Sequence, residues 1–172
     1  MDPDPASYIQ FFAAIDFQQL FGVLILLLLL GASALISGAE VALFSLTPVD
    51  FEPELQKRSQ KEQILINLLD KPKKLLATLL VANNTINIAI VLLFDALIEV
   101  AFQDSETVFY GVNFRFIFEV VIVTFLILLL GEILPKVYAS RNKVAFAHFM
   151  AIPLQVLDKL LAPLNVPMRL AT

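Results

Sequence analysis

Three long apolar stretches divide the chain, and charged residues gather between them. Phe17 to Ala39 carries no charge and includes the apolar run Leu24 to Leu30. Leu75 to Phe94 is likewise uncharged. Phe116 to Leu134 is apolar except for Glu119 near its start and Glu132 near its end. A hydrocarbon core of about 30 Å is crossed by about 20 helical residues, and each of these stretches is of that length. The pattern therefore predicts an all-α membrane protein with three transmembrane helices. A fourth apolar stretch, Val144 to Leu157, is shorter and carries Pro153. It is too short to span and reads as a helix at the interface or packed under the spans.

Between the first two spans the pattern changes to that of an amphipathic helix. Glu54 to Asp70 is polar and helix-prone, and Ile64, Leu65, Leu68 and Leu69 form one apolar stripe. The expected organisation is a tail over 1–16 and a three-span domain over 17–143 with a helical loop at about 47–74. A juxtamembrane helical segment over 144–172 then leads toward a further domain that this chain does not contain.

Composition agrees with the hydropathy pattern. Of 172 residues, 59% are apolar and 16% charged, against roughly 45–50% and about 25% in soluble domains. The net charge of −4 gives no basic patch for nucleic acid. Cysteine is absent and His148 is the single histidine, which leaves thiolate sites, imidazole metal sites and Ser-His-Asp catalysis without parts. No nucleophile–base pair supports an enzyme. The acidic, Pro-rich start does not read as a cleaved signal peptide.

Basic residues set the expected orientation. Six lie between spans one and two (Lys57, Arg58, Lys61, Lys71, Lys73, Lys74) and five after span three (Lys136, Arg141, Lys143, Lys159, Arg169). The tail has none and the second loop only Arg115. The positive-inside rule then places the N-terminus outside and the first loop and C-terminus in the cytoplasm of a cell-membrane protein.

Polar groups at membrane depth are costly, so each needs a reason. Ser33 and Ser37 share a face of span one, and Asn83 and Asn87 share a face of span two. Counted from Pro48 and Lys74, these four lie roughly 14–22 Å from the basic edge, level with one another. Glu132, four residues from Lys136, comes out shallower. Pro135 cannot donate to the Gly131 carbonyl, which frees that oxygen as a ligand and predicts a kink turning Glu132 inward. Hydroxyls, amide oxygens, one carboxylate and one carbonyl are hard donors suited to Mg²⁺, Ca²⁺ or Na⁺. The same residues also suit plain helix packing, since small and amide-bearing faces associate in membranes with no ion present. Glu40 is expected either to pair with a Lys or Arg or to act as a structural cap. Asp95, Glu99 and Glu119 read as a solvated outer rim.

Three segments, SALISGAEVAL from Ser33, LVANNTINI from Leu80 and GEILPK from Gly131, resemble in content and order the transmembrane domain of the CNNM/CorC magnesium transporter family. The resemblance implies a homodimer of three-span subunits with a belt of juxtamembrane helices. It implies a largely dehydrated Mg²⁺ site at Ser33, Ser37, Asn83, Asn87, Gly131 (through its carbonyl) and Glu132. It further implies Mg²⁺ export, with Na⁺ as the coupling ion. Family members usually continue into cytoplasmic CBS domains, and this chain ends before them. The alternative is a non-transporting membrane anchor or assembly partner that uses the same polar faces for dimer packing.

Overall fold

The structure is a computed structural model that describes residues 17–51, 59–101, 108–109 and 112–161. The architecture is all-α. Helix α1 (Phe17–Phe44) is followed by a short 3-10 turn at Pro48–Asp50. Helix α2 (Gln60–Leu69) precedes α3 (Pro72–Ala101). Strands β1 (Val108–Phe109) and β2 (Val112–Asn113) form a two-residue antiparallel ladder before α4 (Phe114–Leu126). A π-helical segment at Ile127–Ile133 leads into α5 (Leu134–Arg141), and α6 is Lys143–Leu160. The expected tail, the residues after 161 and the first part of the predicted loop helix lie outside the described residues.

Among the described residues three helices are long and apolar enough to cross a bilayer: Phe17–Phe44, Pro72–Glu99 and Phe116–Arg141. Each runs a few residues further than its uncharged stretch alone suggests. The third continues through Lys136 to Arg141, and Lys136 Nζ lies 3.3 Å from Glu40 Oε2 on α1. Of the two expectations for Glu40, pairing is the one observed. Glu119 is not a solvated rim residue: it is buried, at 8% exposure, whereas Asp95 and Glu99 are exposed.

α1 is the central helix, packing on α3, on the π segment, on α5 and on α6. Two apolar clusters hold this arrangement. One joins Leu26 and Leu30 of α1 to Ile90 of α3 and to Val123 and Ile127 of the third span. The larger lies at the Lys-rich end, where Ile36, Ala39, Ala42 and Leu43 of α1 meet α2, α3, α5 and α6. The predicted stripe of α2 supplies Ile64, Leu65 and Leu68 to this cluster, with Leu69 packed against it. Burying a leucine such as Leu65, fully enclosed here, contributes roughly 1.5–3 kcal/mol. α2 begins with a capping box: Ser59 N–H donates to Glu62 Oε2 at 2.7 Å, and Glu62 N–H donates to Ser59 Oγ at 3.3 Å.

α6 is not among the helices long and apolar enough to cross a bilayer. It is tied at both ends to the Lys-rich ends of the spans. At its start, Lys143 Nζ donates to the Ser45 carbonyl (3.1 Å) just after α1 and to Asp50 (2.7 Å). At its end, Asp158 accepts from Lys74 Nζ (2.6 Å) and from Thr78 Oγ1 (3.4 Å) on α3. Between these ties Ala147, Met150, Ala151 and Leu154 are buried. Gly38 permits the close approach of α6 to α1, since a Cβ there would sit 2.6 Å from Phe146 Cζ. Replacing Gly38 by Val is expected to cost about 1–3 kcal/mol through overpacking. The cost should shrink in a Phe146→Leu background, as read from thermal unfolding of the two single variants and the double variant.

Asp50 also accepts from the Thr47 hydroxyl and backbone N–H, each at 2.7 Å. Lys143 first, then Thr47, hold its carboxyl below the ordinary value of 3.8, at about 2. A lowered carboxylate pKa stabilises the fold above the ordinary value, and that stability is lost as pH falls through the lowered one. Lys143→Met should therefore lower the thermal midpoint at neutral pH. The difference from wild type should hold down to about pH 4 and shrink toward about pH 2, which far-UV circular dichroism in detergent will measure.

Candidate metal centre

Ser33 and Ser37 lie on the buried face of α1, at 0% and 1% exposure. A small neighbour makes the burial of Ser33 possible, because Gly131 of the third span closes on it without a side chain. Asn83 and Asn87, one turn apart on α3, are half-buried and face it. Asn84 and Thr85 point away and are exposed, and the Thr85 hydroxyl donates to the Val81 carbonyl of its own helix.

The Ser33 hydroxyl lies 3.1 Å from Asn83 Oδ1 and 2.8 Å from Asn87 Oδ1. A hydroxyl carries one hydrogen, so it donates to one of these oxygens at a time. Three oxygens thus crowd around a single proton. Glu132 joins from the third span: its Oε1 accepts from Asn87 Nδ2 at 3.3 Å, which leaves Asn87 Oδ1 turned toward Ser33. Residues from all three spans therefore meet through contacts bridging 45 to 54 positions of sequence.

Glu132 stands level with the asparagines, not nearer the basic edge as the count from Lys136 implies. The helix that carries Glu132 runs on to Arg141, the last residue of the third span. From Arg141 to Glu132 is nine residues, as from Lys74 to Asn83. The local backbone also differs from a simple proline kink. Leu134 N–H bonds the Leu129 carbonyl, five residues back, within a π-helical turn that contains Gly131 and Glu132. Pro135 withholds a donor immediately after this turn, and the helix widens to accommodate the loss. Sequence reasoning missed this segment, although Gly131 and Pro135 flanking an acid were its signal.

Gly131 is buried, and a Cβ there would meet Ser33 Oγ at 3.0 Å and Ser33 Cβ at 3.5 Å. Its observed role is steric: the missing side chain lets the third span press against the serine. Ser37 sits one turn from Ser33 on the same face. Its Oγ is buried and has no hydrogen-bond partner among the described residues. A buried hydroxyl left without a partner costs about 1–3 kcal/mol. Among the described residues no three His, Cys, Asp or Glu side chains gather as a metal-binding group. What gathers is one carboxylate with neutral oxygens, all of them hard donors.

Comparison with known proteins extends this picture. The family model described as the Cyclin M transmembrane N-terminal domain matches residues 24–172. The UPF0053 protein sll1254 of Synechocystis sp. (strain ATCC 27184 / PCC 6803 / Kazusa) is 32% identical over 141 residues. That match takes in 81% of this chain and 38% of the relative, so the chain spans well under half of that protein's length.

The two serines differ in partners, and so should their variants. In the absence of divalent cations, Ser33→Ala is expected to destabilise the protein by about 1–3 kcal/mol, because it leaves two amide oxygens facing an apolar surface. Ser37→Ala, which removes a hydroxyl without a partner, should be neutral or stabilising. Thermal midpoints in chelator-treated detergent solution will give both values.

Proposed function

The chain belongs to the Cyclin M transmembrane domain family, whose members are associated with Mg²⁺ transport, and on that premise we propose that this multi-pass membrane protein carries Mg²⁺. The supporting observation is the meeting of Ser33, Asn83, Asn87 and Glu132 from three spans, with the partnerless Ser37 hydroxyl one turn away. On this reading Mg²⁺ is the cargo. It sheds most of its water and takes oxygens from Ser33, Ser37, Asn83 and Asn87 and the charge of Glu132. The Gly131 carbonyl is a further ligand on the proposed reading. Binding would draw the asparagine oxygens off the Ser33 proton and onto the ion.

One carboxylate against a divalent charge favours release over retention. The site lies between helices, not within one, so rocking the third span against α1 would alter its access. We assign the direction as export exchanged against Na⁺, in a homodimer with its N-terminus outside and its Lys-rich end in the cytoplasm of the cell membrane. CBS domains beyond this chain would act on that end.

A second reading has its own observation. The Ser33–Asn83–Asn87–Glu132 contacts close directly on one another, as a network that only packs helices would. Magnesium flux into proteoliposomes separates the two readings, measured for wild type and Glu132→Gln with and without a Na⁺ gradient. Transport predicts that the variant stays folded while Mg²⁺ affinity and flux fall about tenfold or more. Dependence of flux on the gradient would support exchange. Packing alone predicts no Mg²⁺-dependent flux in wild type and loss of assembly in the variant whether or not Mg²⁺ is present.

A further inference from the structure

The outer face of α6 lies opposite its buried one. At about 100° per residue, Ala147, Met150, Ala151 and Leu154 occupy one side of the helix, and all are buried. Phe149, Ile152, Val156 and Leu160 fall within one narrow arc on the other, with exposures of 60%, 52%, 60% and 71%. His148, Gln155 and Lys159 form a polar flank between the two. An apolar stripe this open is costly in water, and α6 is not one of the spans.

Its position says what covers it. Lys143 ties the start of α6 to the end of α1, and Asp158 ties its finish to the start of α3. Both span ends lie at the same edge of the apolar layer. α6 therefore runs along that edge, in the plane of the membrane surface. Leu76 and Leu80 of α3 and Val137 and Tyr138 of α5 are exposed as well. The Lys74–Asp158 contact joins the start of α3 to the end of α6, a corner where Lys73 and Lys159 adjoin those two residues in sequence and Lys71 immediately precedes α3. Those three lysines are exposed. Of the two acids there, Asp158 is engaged by Lys74 and Thr78, and Asp70 is exposed. The corner keeps an excess of positive charge at headgroup level.

We infer that α6 lies in the leaflet surface with its Phe149–Ile152–Val156–Leu160 stripe among acyl chains, and that Lys71, Lys73 and Lys159 recognise the headgroup of an anionic phospholipid. Such helices combine buried apolar area with attraction to anionic lipid. A lysine near an anionic surface contributes about a five-fold gain in partition. The inference rests on the membrane placement of the chain and is independent of the ion carried.

Titration of the detergent-solubilised protein with dioleoyl phosphatidylglycerol or dioleoyl phosphatidylcholine, followed by thermal midpoint, tests the headgroup half. Wild type should respond to phosphatidylglycerol at the lower concentration. The Lys71→Gln/Lys73→Gln/Lys159→Gln variant should need on the order of 100-fold more, with its phosphatidylcholine response kept. Equal responses to the two lipids, an unaffected variant, or the same stabilisation by inorganic phosphate would overturn it. The stripe is tested in nanodiscs with all lysines intact, since the chain has no native cysteine. A fluorophore on Val156→Cys should be quenched by brominated acyl chains, and one on Gln155→Cys much less. Equal quenching at both positions, none at Val156→Cys, or cross-linking between two copies through that position would refute it.

Discussion

A hydroxyl buried between helices at membrane depth has little water to turn to, so a protein acceptor for its hydrogen is strongly favoured. Ser33 finds two, on a helix fifty positions away in sequence. That preference fixes α1 against α3 in rotation as well as in depth, because leucines alone would let the helices slide. The third span enters the same contact through Glu132 and Asn87, and Gly131 gives it room to do so. In an apolar medium, dispersion contacts between leucines scarcely distinguish one helix from lipid, so polar contacts carry much of the specificity of association.

A second layer of polar contacts frames this centre from the Lys-rich end. Lys136 bonds Glu40, Lys143 bonds Asp50 and the Ser45 carbonyl, and Lys74 bonds Asp158. Each joins two different helices or a helix and the turn after α1. Exposed ion pairs contribute little apiece, commonly below about 1 kcal/mol. Their effect here is geometric: they hold α6 across the ends of α1 and α3 and join the third span to α1.

The donor set follows from the same economy of charge. A second carboxylate facing Glu132 would bind a divalent ion more tightly and would be costly in the membrane without one. Neutral oxygens complete the proposed donor set at lower desolvation cost. Ser37 is left with a hydroxyl that no described protein group satisfies, a local sacrifice of stability of the kind that binding sites carry.

Much of this was legible along the chain. Span number follows from hydropathy and length, both local properties, and all three spans are found. The stripe Ile64, Leu65, Leu68 and Leu69 marked α2 because its spacing matches the helical period. The faces shared by Ser33 with Ser37 and by Asn83 with Asn87 follow from the same period. The fixed rise of a helix per residue put the two pairs at one depth. Other features depended on contacts far apart in sequence. The paired state of Glu40 and Lys136 needed both helices in place. So did the burial of Glu119, the steric role of Gly131 and the inequality of Ser33 and Ser37, which look alike in sequence. The π-helical turn before Pro135 belongs with them, since a missing donor dictates that a helix must adjust but not whether it bends or widens. Period and polarity act within a single helix and can be read from it. Partners, depth and satisfied hydrogen bonds arise between helices, and tertiary packing alone decided them.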